Sequence, residues 1–254
     1  MPKISAVVIA QNEEDRIGTA VASVAFCDEI VVVDGGSRDA TTARVRASGA
    51  RLVERAFDSF VAQKNFAVDR ASHDVVLSLD ADEEVTLPLR AEIQDLVGGT
   101  SLPAAGYRIP RVTHYLGREI RATDWYPDWQ LRLFDRRRGR FEGGLVHESV
   151  KVTGPIGRLK GEILHRPYRD EAEHLRRIDR YTTLWAESAY RGGRRAFPGF
   201  AEAAAFFAFF RNYLLKRGVF LGAAGLKVSR LNAFYVRQKF VKLRALQAAA
   251  ASSA

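Results

Sequence analysis

The sequence contains few of the features that mark secreted, membrane-spanning or dinucleotide-binding proteins. Its only cysteine is Cys27, so no disulfide can form within the chain and a reducing, cytoplasmic setting is expected. It has no uninterrupted apolar run of about 20 residues, the length that a membrane span needs. It also has no Gly-x-Gly-x-x-Gly fingerprint and no Gly-Lys-Ser/Thr phosphate loop, which argues against dinucleotide oxidoreductases and P-loop enzymes.

Acidic residues are missing from the last part of the chain. Glu202 is the final acid, and nine basic residues follow it: Arg211, Lys216, Arg217, Lys227, Arg230, Arg237, Lys239, Lys242 and Arg244. The chain has 39 basic and 30 acidic residues, so residues 1–202 are formally neutral and the net charge of +9 belongs to this tail. This distribution argues against a nucleic-acid-binding body and predicts a tail that meets an anionic surface.

The same tail is rich in aromatic residues. Residues 197–210 include six phenylalanines, and an apolar Val-Phe-Leu triplet follows the basic residues Lys216 and Arg217. Aromatic side chains interleaved with bases suit helices that lie on an anionic lipid surface. We therefore predict peripheral membrane contact. The alternative is that the aromatic face packs on the rest of the chain or on a second subunit.

The first hundred residues alternate short apolar strands with helical stretches. The pattern predicts strands at 4–10, 29–34, 51–54 and 74–79, and helices at 13–25, 39–48 and 60–71. Continuous apolar strands that alternate with helices are typical of a mainly parallel sheet covered on both faces. Further strands at 107–112 and 130–134, with a hairpin turn at 136–139, precede a long amphipathic helix at 170–189. We predict an α/β domain over residues 1–170 and a helical basic extension over 171–254.

Polar residues stand at the ends of the predicted strands. Asn12 and Glu13 follow the first strand, Asp34 ends the second, and Asp80 and Asp82 follow another apolar strand. In parallel sheets, ligands bind beyond the carboxyl ends of the strands. These side chains should therefore converge on one crevice.

The acidic run at 80–84 indicates a metal site. Crowded carboxylates repel one another unless a positive group lies among them, and Mg²⁺ or Mn²⁺ prefers a few carboxylates together with substrate phosphates. The alternative is that Asp80 caps the next helix while Glu83 and Glu84 fill its first turn. Asp34 in turn suits a hydrogen bond to a base or ribose, or else it belongs to a turn in which Asp39 caps a helix.

Four segments, taken in order, resemble the inverting family 2 glycosyltransferases of GT-A fold. They are 7–14 (VVIAQNEE), 31–41 (VVVDGGSRDAT), 63–67 (QKNFA) and 77–83 (LSLDADE). The later segments 126–134 (YPDWQLRLF) and 146–148 (VHE), together with the C-terminal region, are similar more narrowly to the lipopolysaccharide-core β-1,4-glucosyltransferase subgroup.

The resemblance implies a UDP-sugar donor and a divalent cation, Mg²⁺ or Mn²⁺. The residues that match the family's nucleotide-binding positions are Asn12, Glu13, Asp34, Lys64, Asn65 and Asp80. Asp34 would contact the uracil, and Asp80 would reach the ribose or a metal-bound water. Asp82 would ligate the metal, together with a late histidine; His147 and His165 compete for that role, and we assign it to His147.

An inverting transfer also requires a general base for the acceptor hydroxyl. The family usually places this carboxylate in a Glu-Asp motif, and no such motif occurs beyond residue 100. Asp128 and Glu148 are the candidates, and we favour Asp128. The alternative for Asp128 is a loop residue that pairs with Arg132.

The resemblance implies transfer of a hexose, with glucose as the first choice, to a lipid-linked or lipopolysaccharide-core glycan. The reaction would be a single displacement at the cytoplasmic face of the inner membrane, with no nucleic-acid partner. One alternative is a nucleotidyltransferase of the same fold, which would need a Gly-rich basic loop where residues 10–14 are acidic. The other is a non-catalytic membrane-associated binding module, against which the crowded acids Asp80 and Asp82 argue.

Overall fold

The computed structural model of the protein describes residues 1–143 and 148–252. The chain divides into two compact units. The first comprises Met1–Val112 and Asp128–Arg166, and the second comprises Thr113–Pro127 and Pro167–Ala254. The predicted domain over residues 1–170 would contain residues 113–127, but the structure places them in the second unit.

Strands build most of the first unit. In chain order they are β1 (Ile4–Ala10), β2 (Glu29–Asp34), β3 (Arg51–Glu54), β4 (Val75–Asp80), β5 (Glu83–Val85), β6 (Gly106–Tyr115), β7 (Arg118–Ile120), β8 (Asp128–Asp135), β9 (Gly139–Gly143), β10 (Glu148–Val152), β11 (Ile156–Arg158) and β12 (Ile163–His165). The strand β7 lies in the second unit, where it pairs with the end of β6.

The helices of the two units differ in length. In chain order they are α1 (Ile17–Ser23), α2 (Thr41–Ala47), α3 (Phe60–Arg70), α4 (Leu87–Val97), α5 (Glu171–Arg191), α6 (Phe200–Phe210) and α7 (Gly222–Ser252). The first four belong to the first unit and the last three to the second.

The main sheet is parallel in its first four strands and becomes antiparallel beyond them. Its strand order is β3-β2-β1-β4-β8-β6-β12-β5, and β8 runs antiparallel to both β4 and β6. The parallel register pairs Ala10 with Asp34 and Ile9 with Asp80. The carboxyl ends of three neighbouring strands therefore meet at one edge, as predicted. Because β8 is antiparallel, its first residues also lie at that edge.

Helices cover both faces of this sheet. Alternate residues of β1, such as Ala6 and Val8, share one buried cluster with Ile17 of α1 and Leu89 of α4. Val7, on the other face, belongs to a second buried cluster that includes residues of α3. The predicted α/β fold class is confirmed: a mixed sheet with helices on both faces is followed by helices.

The acidic turn after β4 does not begin a helix. Glu83 is the first residue of strand β5, and the next helix starts at Leu87 with Thr86 as its N-cap. The alternative in which Asp80 caps a helix whose first turn holds Glu83 and Glu84 is therefore wrong. The first predicted helix also starts later than expected, at Ile17 instead of residue 13.

The second unit is largely helical. Its helix α5 matches the predicted amphipathic helix, with buried residues His174, Ile178, Thr182 and Ala186 repeating every four positions. Asp170 caps α5 by accepting a hydrogen bond from the amide of Glu173. Among the described residues, no helix combines the length and the apolar character that crossing a bilayer requires.

Candidate active site

The loops that follow β1 and β2 are hydrogen-bonded to each other. The backbone N–H of Asn12 donates to Ser37 Oγ over 2.8 Å, and Asn12 Oδ1 accepts from the N–H of Arg38 over 2.8 Å. The N–H of Glu13 donates to Thr41 Oγ1 over 2.8 Å. Asn12 has a φ of +56°, a conformation that asparagine adopts more readily than most residues. These bonds hold the two loops together at the carboxyl ends of β1 and β2.

Asp34 is buried and organises its own turn. Its Oδ2 accepts hydrogen bonds from the backbone N–H groups of Gly36 at 2.9 Å and Ser37 at 2.8 Å, and its Oδ1 accepts from the Ser37 hydroxyl. Gly36 has a φ of +92°, which glycine tolerates without strain. The structure thus places Asp34 at the predicted edge as a turn-forming carboxylate, and its contact with uracil stays a prediction.

Lys64 lies between two carboxylates at the same edge. Its Nζ is 2.9 Å from Asp80 Oδ1 and 3.0 Å from Glu148 Oε1, and its side chain is only 4% exposed. A buried ammonium that is shared by two acids is held in one position. The structure therefore brings Glu148 next to Asp80, although the two residues are far apart in sequence.

Asn65 faces away from these carboxylates and holds a neighbouring strand. Its Nδ2 donates to the carbonyl oxygen of Phe141 over 2.9 Å, and its Oδ1 accepts from the N–H of Phe141 over 2.9 Å. Both polar atoms of its side chain therefore bind the backbone of β9. The structure gives Asn65 this bracing position, and its predicted role at the nucleotide stays untested.

Two arginines continue the chain of charges beyond Asp80. A single Arg132 nitrogen donates to Asp80 Oδ2 at 2.8 Å and to Glu83 Oε1 at 2.6 Å. Arg111 donates to Glu83 Oε1 at 2.7 Å and, through two nitrogens, to Asp128 Oδ2 at 2.9 and 2.6 Å. We call the resulting series, in which acids and bases alternate, the strand-end charge network: Glu148, Lys64, Asp80, Arg132, Glu83, Arg111 and Asp128.

Asp128 therefore has partners other than the predicted one. It is the first residue of β8 and pairs with Arg111, not with Arg132. Its other oxygen, Oδ1, accepts from the side-chain amide of Gln130 over 2.6 Å. Asp128 and Gln130 are two positions apart on β8, so their side chains share one face of the sheet.

The charge network keeps Asp80 and Arg132 ionised. Burial by itself would raise the pKa of Asp80, but the charges of Lys64 and Arg132 and their hydrogen bonds hold it well below its usual range. Burial would lower the pKa of Arg132, and its ion pairs with Glu83 and Asp80 raise it above the usual value instead. Asp80 is thus a carboxylate, not a carboxylic acid, at any pH near neutrality.

Asp82 stands outside this network and faces a histidine. Its Oδ2 lies 3.4 Å from Nε2 of His165, the last residue of β12. Burial would raise the pKa of Asp82, yet the nearby His165 brings the net shift below the usual value. His147, to which the sequence assigned the metal-ligand role, lies outside the described residues.

A small cavity opens beside Asp82. Its volume is about 250 Å³, and its lining residues are Asp15, Arg16, Thr19, Ala81, Asp82, Glu84 and Arg166. Among the residues that the structure describes, no three His, Cys, Asp or Glu side chains form a cluster suited to a metal ion. Asp82 and His165 thus form a two-residue donor set of one carboxylate and one imidazole at the edge of an open space.

The sequence did not indicate Arg111 or the central position of Glu83. Arg111 lies in a strand with no matching motif, and no local pattern ties it to residues 28 positions away. Arg132 was named only as part of the segment 126–134 and as the alternative partner of Asp128. Arg111 and Arg132 can be identified only once the fold is known. The fold shows two acids at a buried strand end, and such acids require positive partners.

Comparisons with known proteins match this chain to one family of enzymes. The model described as glycosyl transferase family 2 matches residues 5–148. The lipopolysaccharide core biosynthesis glycosyltransferase LpsC of Rhizobium meliloti (strain 1021) is 31% identical over 77% of this chain and 75% of its own length. An uncharacterized glycosyltransferase, RT0209 of Rickettsia typhi (strain ATCC VR-144 / Wilmington), is 28% identical over 97% of this chain and 88% of its own.

Solved structures that match this chain include glucosyl-3-phosphoglycerate synthase from Mycobacterium tuberculosis in complex with Mg²⁺ and uridine-diphosphate. That structure has a TM-score of 0.47 and 19% identity, and it covers 77% of this chain and 81% of its own.

Proposed function

This chain belongs to glycosyltransferase family 2, and we propose that it moves a hexose, with glucose as the first candidate, from a UDP-sugar to a lipid-linked or lipopolysaccharide-core glycan. The observation that carries the proposal is the pair of Asp82 and His165 beside the ionised Asp80 at the carboxyl end of β4. The relative named as a lipopolysaccharide core glycosyltransferase supports this class of acceptor.

The donor would lie across the ends of β1, β2 and β4. Asp34 and Asp80 stand in register on either side of the end of β1, which suits a nucleoside that spans neighbouring strands. Glu13 and Asn12 form the loop next to them. In this proposal Asp34 and Glu13 line the base pocket, and Asp80 reaches the ribose side.

Asp82 and His165 suit a divalent cation. Mg²⁺ typically uses one or two carboxylates and takes its remaining ligands from substrate phosphates and water, and Mn²⁺ also accepts carboxylate and imidazole ligands. Nε2 of His165 faces Asp82 Oδ2 across 3.4 Å, so it is the ring nitrogen that would ligate the cation. When bound, the cation would supply Lewis-acid stabilisation of the diphosphate leaving group.

The acceptor hydroxyl would approach from the side of Asp128. As general base, Asp128 would take the hydroxyl proton while the oxygen attacks the anomeric carbon and the UDP leaves, in one inverting displacement. Glu148 is the alternative base, at the other end of the charge network beside Lys64. The side chain of Asp128 is 33% exposed and that of Glu148 is 18% exposed, so Asp128 is the more accessible to an acceptor.

A donor screen tests the proposed function. We expect UDP-glucose to raise the melting temperature and to be hydrolysed slowly without an acceptor, more so than UDP-galactose or UDP-GlcNAc. A ligand that binds only the folded state stabilises it in proportion to the logarithm of its concentration over Kd. If none of the three sugars changes the melting temperature with Mn²⁺ present, the proposed donor class is wrong.

We also propose that the second unit rests on an anionic membrane surface. Its exposed large apolar residues are concentrated from the second half of α6 to the start of α7, with Phe206 at 72%, Phe207 at 61%, Leu215 at 63% and Phe220 at 82% exposure. Concentrations of exposed apolar side chains mark interaction surfaces. We call the residues 206–220 the apolar edge.

Basic residues lie within and near the apolar edge, and some of them form ion pairs with acids. Four bases of the tail pair with acids of the same unit: Arg211 with Asp124, Lys227 with Glu171, Arg237 with Glu202, and Lys242 with Asp179. Lys216 and Arg217 lie within the apolar edge and are exposed. This combination of inserted aromatics and adjacent bases suits anionic lipid headgroups.

A serine variant of the apolar edge tests this contact. Phe206→Ser, Phe207→Ser and Phe220→Ser together should weaken binding to phosphatidylglycerol vesicles by at least about 100-fold, because burying each phenylalanine contributes about 1.5–3 kcal/mol. Vesicle co-sedimentation at low salt measures the effect. Phe57→Ser with Phe60→Ser, exposed positions of the first unit, is the matched control. If the wild-type protein does not co-sediment with these vesicles, the apolar edge is not a membrane-binding surface.

A further inference from the structure

Glu83 is the centre of the strand-end charge network. Its side chain is completely buried, and Oε1 accepts hydrogen bonds from both Arg111 and Arg132. Its second oxygen, Oε2, accepts from the backbone N–H of Asp80 over 3.0 Å. A carboxylate that binds two guanidinium groups and a main-chain amide has no oxygen to spare for a cation. Glu83 is therefore an anchor, not a metal ligand.

Arg132 ties the two ends of the acidic turn together. The same nitrogen contacts Asp80, the last residue of β4, and Glu83, the first residue of β5. Only Ala81 and Asp82 lie between them. The backbone carbonyl of Asp82 also accepts from the N–H of Arg166 over 2.8 Å, next to His165. The turn that presents Asp82 is therefore held at both ends and in the middle.

The antiparallel strand β8 places Arg132 where it can contact both Asp80 and Glu83. Its register against β4 pairs Leu77 with Leu133, so Arg132 lies close to the end of β4. Its side chain is 4% exposed. Arg132 thus reaches the acidic turn from inside the sheet, where solvent screens charges little.

We propose that Arg132 is a positioning residue for the proposed transfer: it holds the turn of residues 80–83 so that Asp82 faces His165. Arg132 also fixes Asp128 relative to Asp80, because Arg132 contacts Glu83 and Arg111 joins Glu83 to Asp128. This inference rests on the proposed function. Arg132 acts through its neighbours and needs no contact with the donor or the acceptor.

Loss of Arg132 would leave two carboxylates facing each other. Asp80 would keep Lys64 and Glu83 would keep Arg111, but the two buried carboxylates would repel each other with no guanidinium between them. The turn would relax, and Asp82 would move relative to His165. A misplacement of about 1 Å in a catalytic site can cost about 100-fold in rate.

The test compares two substitutions of one residue. Arg132→Met should lower kcat for transfer from the UDP-sugar at least about 100-fold and change the donor KM much less. Arg132→Lys keeps a positive charge near both acids on a shorter side chain, so kcat should fall clearly less than in Arg132→Met. Arg137→Met, which removes an exposed arginine paired with Asp135, is the control and should leave kcat unchanged.

A double variant separates positioning from folding. In Arg132→Met with Glu83→Gln, the repulsion between Asp80 and Glu83 is gone, so the melting temperature should recover toward the wild-type value while kcat stays low. Recovery of kcat together with the melting temperature would make Arg132 a purely structural residue and overturn the proposal. A folded Arg132→Met with kcat within threefold of wild type would also overturn it, as would an Arg132→Lys variant as inactive as Arg132→Met.

Binding measurements keep this test independent of turnover. Titration of Mn²⁺ and UDP into Arg132→Met should show at least a tenfold weaker effect of Mn²⁺ on UDP affinity than in wild type. If the wild-type protein binds UDP with Mn²⁺ but transfers no hexose, the transfer reaction proposed above fails and the positioning inference is still tested. An unchanged effect of Mn²⁺ in a folded Arg132→Met would overturn the inference.

Discussion

Replacing Asp82 with asparagine is expected to lower kcat for hexose transfer by about 10³-fold. Asparagine keeps the shape of the side chain but removes the negative charge that faces His165 across 3.4 Å. A cation bound there would contribute several kcal/mol to stabilising the leaving group, and about 4 kcal/mol corresponds to a factor of about 10³ in rate. The lost activity should not return at high Mn²⁺ concentration.

Initial-rate measurements over a Mn²⁺ series check this expectation. Asp74→Asn, at the opposite edge of the sheet beside Arg137, is the matched control and should keep the wild-type dependence on Mn²⁺. His165→Ala should reproduce much of the Asp82→Asn defect, since both residues would ligate the same cation. An Asp82→Asn protein with normal rates and normal Mn²⁺ dependence would remove Asp82 from the metal site.

Asp128→Asn should lower kcat by about 10²- to 10⁴-fold, the range in which general-base catalysis contributes. The substitution leaves the pair between Arg111 and Glu83 in place, so the donor site should be preserved. The donor KM should therefore change little, and slow hydrolysis of the UDP-sugar should persist. Glu148→Gln should have a smaller effect on kcat, because Lys64 keeps its second partner, Asp80.

The two isosteric variants discriminate between the candidate bases when they are measured side by side with one acceptor. A large loss in Asp128→Asn with a small loss in Glu148→Gln supports Asp128. The reverse order would assign the base to Glu148. Comparable losses of donor affinity in both would indicate that the charge network, not proton transfer, is what each variant disturbs.

The parallel half of the fold was predictable because its signal is local. The strands β1, β2 and β4 are buried on both faces, and each therefore appears as a continuous apolar run. The polar residues directly after each run then follow from the rule that ligands bind at the carboxyl ends of parallel strands. The convergence of Asp34 and Asp80 was predicted on this basis, and the register confirms it.

The antiparallel half lacked such a signal. The strands β5 and β12 have three residues each, too few for a periodic pattern, and the pairing of β12 with β5 joins segments far apart in sequence. That pairing places His165 opposite Glu83 and thus close to Asp82. The neighbour of Asp82 could therefore be found only after the sheet was known.

Motif matching has a different limit, which Asn65 illustrates. The segment 63–67 resembles the family pattern, and its lysine does lie at the predicted edge beside Asp80. On a helix, however, successive side chains point about 100° apart. The helix α3 therefore directs Lys64 to the carboxylates while Asn65 turns to the backbone of Phe141. Adjacent residues of one motif can serve different neighbours.

Titration calorimetry with UDP is the most direct test of a nucleotide site that depends on a cation. We predict that wild-type protein binds UDP more tightly with Mn²⁺ or Mg²⁺ than with a chelator present, and that Asp82→Asn removes this difference while still binding UDP weakly. If the wild-type protein binds UDP with the same affinity with and without the cation, the proposed metal site is wrong.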